Sequence, residues 1–146
     1  MDVQKDVHAL LRGKSRCLAQ LVDLSRTFLE SADSATSSVP GLIPDFERKR
    51  EDAFRAIELI DRRINELSPH IFHSPEWNSS VRETIVQHQA LARSLQQLDA
   101  RIITLIESTR QGLAREIQDQ GRLREKLSKF KSQWMPDQGE GLDQTL

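Results

Sequence analysis

At 146 residues the chain has room for one hydrophobic core and not for two independent ones. Its 21 Lys and Arg against 22 Asp and Glu leave a formal net charge of -1, which gives no global attraction to nucleic acid or to an anionic membrane. Charged residues reach 29% and aromatics only 5%, with no Tyr, a balance that suits surface-charged helices and argues against a base-stacking sheet.

The first predicted element is a helix over roughly Val3 to Leu29. Val7, Leu10, Leu11, Leu18, Leu21, Leu24 and Phe28 share one stripe, with Lys5, Arg12, Lys14, Asp23 and Arg26 mostly elsewhere. Gly13 inside it costs about 1 kcal/mol relative to Ala, so the N-terminal turns are expected to fray. Cys17 is the only cysteine, which excludes an internal disulfide and fits a reducing compartment. The opening MDVQKDVHALLRGK lacks the apolar run of a signal peptide, and nowhere do about 18 apolar residues follow one another. A soluble, cytoplasmic protein without membrane insertion is the expectation.

The small polar stretch SADSATSSVPG reads as a flexible linker closing on Pro40-Gly41. A second helix is predicted from Pro44, with Asp45 and Glu47 complementing its dipole and Phe46, Ala53, Ile57, Ile60, Ile64 and Leu67 forming its buried stripe. Ser68-Pro69 stops it. In the connector PHIFHSPEWNSS, Ile71, Phe72 and Trp77 are too apolar for a solvated loop and are expected to cover one end of a bundle. A third helix starts either at Ser74-Pro75, the preferred reading, or at the capping box of Ser80 and Glu83.

No proline interrupts the chain from Ser80 to Trp134, and Ile85, His88, Leu91, Leu95, Leu98, Ile102, Leu105, Leu113, Leu123, Leu127, Phe130 and Trp134 recur near a 3.5-residue period. Such a helix reaches roughly 80 Å, about twice what the two earlier segments span. Thr109, Glu116 and Gln120 weaken the seam, and Gly112 and Gly121 lie between them. Either the helix folds back near those glycines, or its last third is buried in another chain. Arg122, Arg124, Lys126, Lys129 and Lys131 make the final turns basic, Pro136 ends them, and a disordered tail is expected over 136–146. The fold class is therefore all-α: an antiparallel bundle of three helices, or four if the last one breaks, in a single domain over 1–135.

Little in the sequence carries chemistry. His70 and His73 have no Cys or third His nearby to complete a metal site. His88 sits on the seam without a nucleophile beside it and reads as a hydrogen-bonded core histidine. Carboxylates such as Glu51, Asp52, Glu58 and Asp61 alternate with Arg55, Arg62 and Arg63, as on a solvated helix face. The six glycines form no phosphate-binding pattern. No catalytic residue, cofactor or metal is assigned, and binding is expected rather than catalysis.

The stretch LDARIITLIESTRQGLAREIQDQGRLREKLSKF, at 98–130, resembles the end of flagellar export chaperones of the FliT type, and DFERKREDAFRAIELIDRRINEL resembles their second helix. The FlgN-type chaperones of hook-filament junction proteins are similar in layout and rank second. The resemblance implies a small cytoplasmic bundle that binds the C-terminal segment of the filament cap protein or another secretion client, keeps it unassembled, and hands it to the export ATPase or export gate. It implies a terminal helix that covers the binding surface and releases it, with Phe130 matching a family aromatic. On that basis Leu95, Leu98, Ile102, Leu105 and Ile106 are the expected groove floor, and Leu123, Leu127, Phe130 and Trp134 the competing face. A different class of reading is an oligomeric coiled-coil scaffold, in which a homodimer buries the surplus seam permanently.

Overall fold

A computed structural model describes residues 2–34 and 39–134, apart from the side chains of residues 133 and 134. Three helices pack antiparallel: α1 (Val3–Ser34), α2 (Val39–Leu67) and α3 (Pro75–Trp134). A single 3-10 turn, Ser68–His70, follows α2. Contacts divide the chain into two units, Met1–Leu105 and Ile106–Leu146, with the boundary inside α3. No described helix is long and apolar enough to cross a membrane.

The apolar stripes read from the sequence become the core of the first unit. At one end Val7 and Leu11 of α1, Leu67 of α2 and Trp77 of α3 form a buried cluster, flanked by Val3, Leu10, Ile64, Ile71 and Val81. At the other end Phe28 stacks on Phe46 with ring centroids 4.4 Å apart. Charged pairs join the helices along the sides of these apolar layers. Lys14 of α1 reaches Asp61 of α2 at 2.7 Å, and Arg50 of α2 grips Asp99 of α3 through two parallel bonds of 2.6 and 2.7 Å. The fork geometry of the second pair, three-quarters buried on both sides, fixes the rotation of α2 against α3 as well as attracting it.

Several boundaries differ from the sequence expectation, each for a local reason. The helix runs unbroken through Gly13, because Ile60 packs over it, its Cδ1 atom 3.5 Å from where a Cβ would stand. Ser31 to Ser34 of the expected linker belong to α1, and α2 begins at Val39, which leaves Pro44 inside a helix. Pro44 cannot donate to the carbonyl one turn before it, but the loss of one bond is offset by burying Val39 and half-burying Leu42 and Ile43. Residues 35–38, the rest of that linker, and the expected tail at 136–146 lie outside the described residues.

The third helix starts at Pro75, as the preferred reading has it. Ser74 Oγ accepts the Trp77 backbone N–H at 3.1 Å, capping the first turn and holding the indole over the end of the bundle. Of the connector's other apolar residues Ile71 is half-buried, whereas Phe72 is 77% exposed and does not pack as expected. Gly112 and Gly121 are both helical, with no positive φ, and α3 runs through both without a break.

The Ser25 hydroxyl is fully buried in α1 and has no hydrogen-bond partner among the described residues. Ser25→Ala removes that orphaned group, so urea unfolding should show a stability gain of about 1 kcal/mol. Trp77→Ala empties the capped end of the bundle and should lower stability by about 3 kcal/mol or more in the same measurement.

Candidate functional site

Two features stand out once the core is accounted for: a histidine network inside the bundle, and an exposed apolar stripe on the second half of α3. The network joins α3 to α1. His88 is buried, and its Nε2 lies 2.7 Å from Ser15 Oγ and 3.3 Å from the Leu11 carbonyl oxygen. Ser15 Oγ also stands 3.2 Å from that carbonyl. With a proton on Nε2, His88 donates to Ser15 Oγ and Leu11 O while the hydroxyl donates its own proton to Leu11 O; with the proton on Nδ1, Nε2 accepts from the Ser15 hydroxyl instead.

Burial pushes the His88 imidazole below its ordinary value of 6.5, and the nearby Lys14 charge adds to this, against the opposing pull of the Leu11 carbonyl and Asp61. The nearby carboxylate Asp61 is already paired with Lys14, at 2.7 Å. The network is a structural clasp.

A cleft of about 510 Å³ lies between the start of α1 and the start of α3, where His8 meets the edge of Trp77 at 4.6 Å. Asp2 and Glu76 line it together with Lys5 and Arg12, two formal charges of each sign. Among the described residues no three of His, Cys, Asp or Glu stand together as a metal site. On the α2 surface, Asp45 is drawn below the usual carboxylate range by its bonds to Arg48 and Lys49, as befits a solvated ion pair.

The residues singled out from the sequence as partner-binding fall into three groups. Leu95, Leu98 and Ile102 are buried in the core of the first unit. Leu105 and Ile106 are half-buried. Leu123, Leu127 and Phe130 are exposed, by 58%, 52% and 56%. The backbone of Trp134 is helical, while its side chain lies outside the described ones.

Two further residues complete the exposed face. Leu113 and Ile117, exposed by 44% and 69%, lie one turn apart on α3, and Leu113 is separated from Ile106 and from Leu127 by whole heptads. The sequence reading placed Leu113 on the seam without assigning it to the site and passed over Ile117, which occupies the flank of the stripe. Its exposure follows from the register of a continuous helix, which the fold-back alternative left open. No family model matches the chain, and no curated protein or solved structure matches it significantly.

The linkage of His88 to folding has a definite sign. Because the folded pKa lies below 6.5, the unfolded chain takes up the proton first as pH falls, so the network's contribution is complete above 6.5 and is lost as the solution acidifies below it. The urea midpoint should therefore be lower at about pH 5.5 than at about pH 7.5, and His88→Gln should flatten this dependence. An equal fall in both proteins would place its origin elsewhere.

Proposed function

We propose that this protein is a cytoplasmic chaperone of flagellar type III export, which shelters an amphipathic segment at the C-terminus of the filament cap protein. The observation that carries this reading is the exposed stripe of Leu113, Ile117, Leu123 and Leu127 along an uninterrupted helix. Helical stripes of this kind bind by laying an apolar face against another helix, and each Å² of apolar surface removed from water contributes about 25 cal/mol. A client held in this way has its own assembly surface covered. Delivery to the export ATPase or export gate follows from the same reading, and a FlgN-type role, serving hook-filament junction proteins, is the nearest variant of it.

Leu95, Leu98 and Ile102 are buried, so this reading seats the client elsewhere than on the middle of α3. In this proposal the client sits on the terminal half of α3 itself, with Leu123, Leu127 and Phe130 as contact residues rather than as an inhibitory cover. Ile106 is assigned to the margin of that surface.

The heptad spacing of the same stripe supports a second reading, a permanent coiled-coil dimer acting as a scaffold. Sedimentation at low micromolar concentration separates the two, since a scaffold stays dimeric without a client.

The chaperone reading is tested by fluorescence anisotropy with a labelled C-terminal peptide of the filament cap protein. Binding is expected, Leu123→Asp with Leu127→Asp should weaken it by about tenfold or more, and deletion of residues 122–146 should abolish it. Absence of binding, or binding indifferent to these changes, refutes the proposal.

A further inference from the structure

The exposed stripe is rimmed by charge of one sign. At 100° per residue, Arg124 and Lys131 flank Leu123, Leu127 and Phe130 on one side, and Arg122, Lys126 and Lys129 flank them on the other. Glu125, the sole carboxylate of these turns, falls on the opposite face. All five cations are exposed, and none has an ion-pair partner among the described residues.

The geometry points to a partner of definite chemistry: an amphipathic helix from another protein whose apolar seam is bordered by Asp and Glu. This rests on the docking surface proposed above and specifies what it selects. Laid along α3, such a helix places its carboxylates against Arg124 and Lys131 on one edge and Lys126 on the other, while its seam covers Leu123 and Leu127. Rim pairs of this kind add discrimination and speed of encounter more than affinity, so the surface would accept acidic helices and reject basic ones.

Other occupants fit the charges less well. A second copy laid parallel sets the five cations against themselves. Laid antiparallel, it brings them opposite residues 106–118, where Glu107 and Glu116 are already balanced by Arg110 and Arg115. A helix lying in an anionic bilayer interface needs an unbroken apolar face, and Glu116 and Gln120 interrupt this one.

The test uses the full chain and two synthetic peptides of about 20 residues, both with leucine at the heptad core positions, one flanked by Glu and the other by Lys. The Glu peptide should bind at least about tenfold more tightly than the Lys peptide, and should weaken severalfold when salt rises from about 50 to about 300 mM. Combining Arg124→Glu, Lys126→Glu and Lys131→Glu should invert the preference, a gain that loss of folding cannot mimic. Equal binding of the two peptides overturns the inference. So does a wild-type chain that sediments as a dimer and takes up neither peptide, or one that ignores both and binds phosphatidylserine vesicles. If the cap-protein peptide binds but shows no preference for acidic flanks, only the charge selection fails and the docking surface stands.

Discussion

The rest of the structure depends on a mismatch of length. α3 has 60 residues, while α1 and α2 have 32 and 29, so an antiparallel hairpin of the two shorter helices can cover only about half of the longer one. The core follows this limit: the last buried residue of α3 is Ile102 among the described side chains. Because burial of apolar surface is the main favourable term in folding, the two halves of one continuous helix are held by different means. The first is held by packing, the second chiefly by its own backbone bonds and local propensity.

Within the covered half, polar contacts select an arrangement that apolar stripes alone would leave loose. Leucine-rich helices can rotate or slide at little cost, whereas the two-pronged Arg50–Asp99 pair and the His88–Ser15–Leu11 network each have one productive geometry. They sit at different levels of α3, His88 midway along the packed stretch and Asp99 near its far end, so together they fix its register as well as its rotation. Ser25 shows the opposite case, a buried hydroxyl that specifies nothing in the described structure.

Much of this was legible in the residues. The stripes of α1 and α2, the stop at Ser68-Pro69 and the Ser74-Pro75 start all depend on local spacing and cap chemistry, which a sequence carries directly. The start of α2 was not, because Pro44 signals a first turn by itself and only the tertiary burial of Val39 extends the helix before it. Gly13 likewise reads as a weakness until Ile60 is seen against it. Phe72 misled in the other direction, since its apolarity says nothing of which way an irregular connector turns. For the apolar stripe of α3, the seam could be read but its depth could not: nothing in the spacing of Leu95, Leu98 and Ile102 distinguishes them from Leu123 and Leu127, and only the reach of the hairpin decides which are covered.

Gly112 and Gly121 stand at positions where a methyl group would meet nothing, yet both are helical. Each lowers local helix propensity by about 1 kcal/mol relative to Ala in a region with no core to compensate. The outer turns can thus uncoil and re-form by themselves without loosening the layers near Trp77 or Phe28. Such fraying sets a clock on any complex formed there: a guest resting on those turns departs when they unravel, so how long it stays is governed by two missing methyls and not by the durability of the bundle.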